Sequence, residues 1–189
     1  MLKAICFDFD VTLLSVSNAL FFGPYLKDIS HVLPGVKPER VGSAILEILG
    51  EVMRNNVPGV TVEQSFMKKF SDLVGWPLDA MQPYLDAYYR DEFPRLGKGI
   101  VPRPEARQLL DVARGKGYRL VLATNPVFPG VATLSRMAWA GITTADFEFV
   151  TFFEECCYTK PNRMYYEQEL LERLELYPEE CLMVGNDIV

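Results

Sequence analysis

Four places in this 189-residue chain carry polar groups able to hold or attack an anion, each just beyond a short apolar run. They are Asp8 with Asp10, Thr124 with Asn125, Lys160, and Asn186 with Asp187. Several carboxylates, one ammonium and one hydroxyl form a donor set suited to Mg²⁺ and phosphate. Asp8 and Asp10 are two apart, so in extended backbone both side chains leave the same face. Taken singly, each place has an ordinary reading: a lone D-x-D is common, Thr-Asn-Pro is a turn sequence, and Lys160 before Pro161 reads as a solvated loop. Their joint arrival at strand ends, in this order, is what points to a site.

Other chemistries are poorly supplied. His31 is the only histidine, and the four cysteines (Cys6, Cys156, Cys157, Cys181) form no C-x-x-C pair. A structural zinc site and a histidine-activated nucleophile are therefore not expected. The cysteines read as reduced thiols of a cytoplasmic protein, Cys6 and Cys181 within buried strands. A formal net charge of −6 argues against non-specific nucleic-acid or anionic-membrane binding, since both need a basic face. No run approaches the roughly 18 apolar residues of a membrane helix, and Asp8 ends the first apolar stretch too early for a signal peptide.

The elements that must position these groups follow from periodicity. Ala4–Phe7 reads as a strand buried on both faces, as do Tyr118–Ala123, Phe147–Phe153 and Cys181–Val184. Helices are expected between them. Pro104 suits a first helical position, Glu105 a first turn, and Gly115 and Gly117 an exit, while Ala106, Leu109, Leu110 and Ala113 form one stripe. A second helix spans about 130–140, and a third is expected to open at Pro161 with the stripe Tyr166, Leu170, Leu171 and Leu174. Strands alternating with helices give βαβ units, and hence an α/β fold with a doubly wound parallel sheet. Ligands of such sheets bind outside the carboxyl ends of the strands.

Residues 15–97 have a different texture, with apolar positions at helical spacing and no clear strand. Val41, Ala44, Ile45, Ile48, Leu49 and Val52 make one stripe, and Val62, Phe66, Phe70, Leu73 and Val74 another. A further helix is expected from about Pro83, carrying Leu85, Tyr88 and Tyr89. The expected organisation is a core of residues 1–14 and 98–189 with an all-helical insertion, 15–97, as a cap. The aromatic surplus of that insertion (Phe21, Phe22, Tyr25, Trp76, Tyr84, Tyr88, Tyr89) reads as core filling, with a partner surface as the alternative.

The motifs resemble those of the haloacid dehalogenase-like hydrolases. Phe7-Asp8-Phe9-Asp10-Val11-Thr12-Leu13 is similar to the first motif of that family, D-x-D-x-T. Leu120–Asn125 resembles the second, Thr159-Lys160-Pro161 the third, and Met183-Val184-Gly185-Asn186-Asp187 the start of the fourth. The resemblance implies a Rossmann-like core, a helical cap of the family's first cap class, and a Mg²⁺-dependent phosphohydrolase. A small phosphorylated metabolite would react through an aspartyl-phosphate.

In that scheme Asp8 is the nucleophile and Asp10 the acid–base. Thr124, Asn125 and Lys160 hold the phosphoryl group. Asp8, the Asp10 carbonyl and Asp187, with Asn186 as fallback, hold the metal. Val11 stands where the family often has glycine or another small or polar residue, a departure expected to be minor. The chain reaches Val189 before a further fourth-motif carboxylate, so the core is expected to be C-terminally incomplete. A non-catalytic interaction or regulatory protein is the alternative function, and phosphonate or haloacid hydrolysis is a weaker one.

Overall fold

The computed structural model describes residues 1–16 and 18–186. Four parallel strands, β1 (Ala4–Phe7), β2 (Arg119–Leu122), β3 (Phe149–Val150) and β4 (Cys181–Val184), form one sheet in the order β3-β2-β1-β4. β1 is therefore flanked on both sides, and the chain order reverses between β1 and β4. That crevice is where a doubly wound sheet binds its ligand.

Alternation along the strands sorts the core into two faces. Phe7, Leu120 and Leu122 pack with Leu110 and Met137, whereas Cys6, Val121 and Ala123 pack with Tyr165, Leu170 and Leu174. Both faces of β1 are buried, as its unbroken apolar run requires. β4 differs from expectation: Leu182 and Met183 are exposed, because among the described residues β4 pairs on one side only. Cys181 is correspondingly only half-buried. β3 is shorter than its aromatic richness suggests. The chain turns at Phe152, and Phe153 leaves the sheet to pack among the inserted helices.

Between β1 and β2 run α1 (Asn18–Ile29), α2 (Pro38–Val52), α3 (Val62–Val74) and α4 (Leu78–Ala87), then a π turn (Tyr88–Glu92) and a 3₁₀ turn (Phe93–Gly97). The local sequence explains the bounds. α2 begins with Pro38 at its first turn. α3 has a Thr61–Gln64 capping box and ends at Gly75 with φ 75°. α4 begins five residues before the expected Pro83. That proline removes one hydrogen bond near the start of the helix, where residues 77–80 are exposed to solvent.

The four helices share a core built from Tyr25, Ile45, Ile48, Phe70, Tyr88 and Phe93, among others. Of the aromatic surplus, Phe21, Tyr25, Tyr88 and Tyr89 are buried, Phe22 and Trp76 partly so, and Tyr84 is exposed.

In the second half, α5 (Pro104–Gly115) follows its punctuation, with Gly117 at φ 81°. α6 (Gly130–Trp139) starts where the Gly130 N–H donates to Glu154 Oε1 at 2.7 Å. The last long helix does not open at Pro161. The Asn162 side chain caps the Met164 N–H, and Tyr165–Glu172 is π-helical. The wider turn moves the buried stripe to Tyr165, Leu170 and Leu174, leaving Tyr166 and Leu171 half-buried. No helix among the described residues is long and apolar enough to cross a membrane.

Candidate active site

The end of β1 delivers Asp8 into the β1/β4 crevice. Its N–H donates to the Val184 carbonyl at 2.8 Å, which extends the strand ladder by one step. Gly185 packs closely beside it: a Cβ there would come within 3.1 Å of the Asp8 Cβ, so a side chain would press on Asp8. Lys160 Nζ donates to Asp8 Oδ1 at 2.7 Å and the Thr12 hydroxyl to Asp8 Oδ2 at 3.3 Å. One end of the Asn186 amide faces Asp8 Oδ2 at 3.1 Å and the Asp10 carbonyl at 3.0 Å; with its nitrogen turned that way it donates to both.

The Lys160 loop is fixed from three directions. The Lys160 N–H donates to Asn125 Oδ1 at 3.1 Å, tying the loop to the end of β2. Upstream, the buried Glu169 carboxylate accepts from the Cys157 and Tyr158 N–H groups and pairs with Arg173 at 2.7 Å. From the inserted helices, Asn56 accepts from the Thr159 N–H at 3.3 Å and from Asn162 Nδ2 at 2.9 Å. Thr124 is buried at the end of β2, where its carbonyl accepts from the Thr151 hydroxyl at 2.7 Å and the Tyr165 hydroxyl at 2.8 Å.

The Asp10 carboxylate points elsewhere. Its Oδ1 accepts from the guanidinium of Arg136, a residue of α6 that is 1% exposed. The first motif thus sends its two acidic side chains to two different cations.

Asp8, Lys160, Asn125 and Asn186 share one rim, with Asp10 joining through its carbonyl. Asp187 lies outside the described residues. Three residues that support the site were not singled out from sequence, Asn56, Arg136 and Glu169, while Thr12 entered only as the last letter of the D-x-D-x-T motif. For Arg136 a signal existed, because it falls on the same helical stripe as Ala132, Met137 and Ala140, where a charge is out of place.

A cavity of about 130 Å³ lies between the inserted helices and the loop after β2, lined in part by Tyr25, Phe66, Tyr89, Phe128 and Phe153. Glu63 and Glu154 edge it, and burial together with the Glu154 charge raises the Glu63 carboxyl above its ordinary range.

A family model described as a haloacid dehalogenase-like hydrolase matches residues 2–189. The chain belongs to that family. Solved structures of the same fold include CbbY from Rhodobacter sphaeroides in complex with phosphate. It is 18% identical at a TM-score of 0.59, over 97% of this chain and 77% of that one. YfnB of Bacillus subtilis, assigned to the HAD hydrolases and bound to magnesium, is 16% identical at 0.57, over 98% and 80%. The L-2-haloacid dehalogenase of Xanthobacter autotrophicus, with chloropropionic acid covalently bound, is 18% identical at 0.51, over 97% and 69%. No curated protein matches the chain. At these identities the neighbours establish the HAD fold, a parallel four-stranded core with many helices, and they span more than one chemistry.

Proposed function

We propose that this hydrolase belongs to the phosphatase branch and cleaves a small phosphate monoester with Mg²⁺ as cofactor. Residues 15–97 act as a cap of the family's first class over a core of 1–14 and 98–189. The observation that carries this reading is the convergence on Asp8: an ammonium on one carboxylate oxygen, and at the other an Asn186 amide that also reaches the Asp10 carbonyl.

The donor set fits a hard cation. One end of the Asn186 amide lies 3.1 Å from Asp8 Oδ2 and 3.0 Å from the Asp10 carbonyl, and carboxylate, carbonyl and amide oxygens are the donors such a cation takes. Turning the Asn186 amide so that its oxygen faces inward would complete three oxygen donors. Bound there, Mg²⁺ would neutralise charge on the phosphoryl group and on the attacking carboxylate.

The chain's own residues then divide the work. Lys160 and the Asn125 amide bind the phosphoryl oxygens, and Thr124, which follows β2, is assigned to add its hydroxyl. Asp8 attacks phosphorus as the ester P–O bond breaks, and Asp10 gives its proton to the departing oxygen. In the second half a water attacks the acyl phosphate, its proton passing to Asp10. Inorganic phosphate leaves and Asp8 is restored. Dividing one slow displacement into two lowers the barrier of each, and acid–base assistance is worth about 10²–10⁴-fold.

Haloacid hydrolysis has no need of a second acid, so Asp10 favours the phosphate ester. The deciding experiment incubates the protein with p-nitrophenyl phosphate, a panel of metabolite phosphates and 2-chloropropionate, each with Mg²⁺ or with EDTA. Mg²⁺-dependent release of inorganic phosphate is expected. Chloride release without phosphate release would replace this reading with a dehalogenase, and no turnover of any substrate would favour the interaction-protein alternative.

A further inference from the structure

Among the described residues, Arg136 is one of the largest side chains with less than 2% of its surface exposed. A guanidinium cannot shed its charge in a protein, so burying it requires an anion or a π face at hand. Here it has both. Asp10 Oδ1 accepts from Nη2, and three rings surround the group: Phe9 at 5.1 Å, Phe21 at 5.3 Å and Phe128 at 4.9 Å from Cζ. Its Nε finds no hydrogen-bond partner among the described residues. A cation held this way has essentially one orientation, because the rings block its other directions.

Asp10 is in the opposite situation. Its side chain is 26% exposed and projects from within a tight turn, in which the Phe9 carbonyl accepts from the N–H groups of Thr12, Leu13 and Leu14. A half-exposed carboxylate on a loop has several rotamers open to it. Anchoring Oδ1 on a caged guanidinium selects one of them and so fixes where Oδ2 lies.

The cage also spans the two halves of the molecule. Phe9 comes from the first motif and Phe128 from the loop after β2, whereas Phe21 belongs to α1 of the inserted helices. Phe21 sits in that core, in edge contact with Phe93 at 5.8 Å and Trp139 at 5.7 Å. The rotation of the guanidinium is thus blocked on one side by a residue that is in place only while α1 is docked.

We propose that Arg136 is the positioning residue for Asp10, and that Phe21 makes its hold depend on the docking of the inserted helices. This rests on the phosphohydrolase reading, in which Asp10 handles the proton of the leaving oxygen. Arg136 does not touch the substrate; it acts only through the orientation of Asp10. A purely structural counter-ion would leave the proton-transfer step of the folded fraction untouched, and that difference is measurable.

The experiment uses the full chain with Mg²⁺ and a series of aryl and alkyl phosphates of falling leaving-group ability. Wild type, Arg136→Met, Asp10→Asn, the double variant and Phe21→Leu are compared, with rates scaled to the folded fraction. Arg136→Met is expected to lower kcat on poor leaving groups by about 10–100-fold, and on p-nitrophenyl phosphate by much less, within the range that acid catalysis contributes. KM should stay within about threefold, as it does when ground-state binding is untouched.

In the Asp10→Asn background the same change should have no further effect on kcat, the non-additivity expected of residues acting as one unit. Phe21→Leu should show the same leaving-group dependence at about threefold. A second readout needs no turnover: in urea unfolding, the Arg136→Met and Asp10→Asn effects should be coupled by at least about tenfold in the unfolding constant.

Equal loss across leaving groups, full additivity in either cycle, or a gain in kcat for Arg136→Met would each overturn the proposal. A wild type that releases no phosphate from any ester removes the phosphohydrolase reading and this role of Arg136 with it. An active wild type with a uniform Arg136→Met loss removes only the latter.

Discussion

The two ion pairs of the first motif hold carboxylates two residues apart in sequence and differ chiefly in their cations. Asp8 pairs with Lys160 in a crevice that both side chains share with solvent, at 20% and 16% exposure. Asp10 pairs with a cation sealed behind three rings. Lysine is a compact charge on a flexible stem with three donors, able to turn from a carboxylate to an arriving phosphoryl oxygen. The caged arginine can do neither. One pair is built to be exchanged and the other to be kept, which is the division expected of a nucleophile and the group that assists it.

The largest effect should fall on the exchangeable pair. Asp8→Asn is expected to lower Mg²⁺-dependent turnover of p-nitrophenyl phosphate on the order of 10⁴-fold or more, as loss of a covalent nucleophile does. Stopped assays for inorganic phosphate on the purified variant check this. Retention of even a tenth of wild-type turnover would break the assignment of Asp8.

Stability should rank the pairs the other way. Asp10→Asn leaves the Arg136 charge buried and uncompensated, and is expected to cost about 3 kcal/mol in urea unfolding. Asp8→Asn leaves a lysine that water can reach, and is expected to stay within about 1 kcal/mol of wild type. Equal costs would mean that the aromatic cage carries the guanidinium without help from Asp10.

The cation site proposed at the second oxygen of Asp8 gives a smaller test. Asn186 presents a neutral amide there, so Asn186→Asp should tighten Mg²⁺ binding by about tenfold, since charge count tunes the affinity of oxygen-ligand sites. Isothermal titration of the metal alone reads this without turnover. Unchanged affinity would place the ion elsewhere than between Asp8 and the Asp10 carbonyl.

Much of this was legible in the sequence because apolar periodicity reports burial directly. Ala4–Phe7 is an unbroken apolar run and lies buried on both faces, and the α2 stripe from Val41 to Val52 is the face that packs. Grouping Asp8, Asn125 and Lys160 at one rim needed only the rule for strand ends. What remained hidden depends on tertiary context. Pro83 sits inside α4 because its lost bond falls near an exposed end. The Tyr165–Glu172 stripe shifts because the helix widens. Arg136 is the instructive omission: a charge on an apolar stripe signals a buried partner, but which carboxylate answers it depends on a strand end 126 residues away.

The loop that joins the two pairs offers the finest test. Val11, between Asp10 and Thr12, has φ 61°, in the left-handed region that β-branched residues rarely occupy. Its departure from the family pattern is therefore a backbone matter as well as a side-chain one. A residue so placed carries about 1–3 kcal/mol of strain, held by the structure around it. Here the three N–H groups converging on the Phe9 carbonyl, with Thr12 on Asp8 and Arg136 on Asp10, fix the turn from both ends. Val11→Gly removes the strain but adds freedom to the unfolded chain worth about 0.5–1 kcal/mol. The net should be a gain of about 1 kcal/mol, raising Tm by about 2–4 °C for a chain of this length. Differential scanning calorimetry measures it. A lower Tm would mean that local preference rather than the two ion pairs sets the turn, and that fixing one pair tells the chain little about where to place the other.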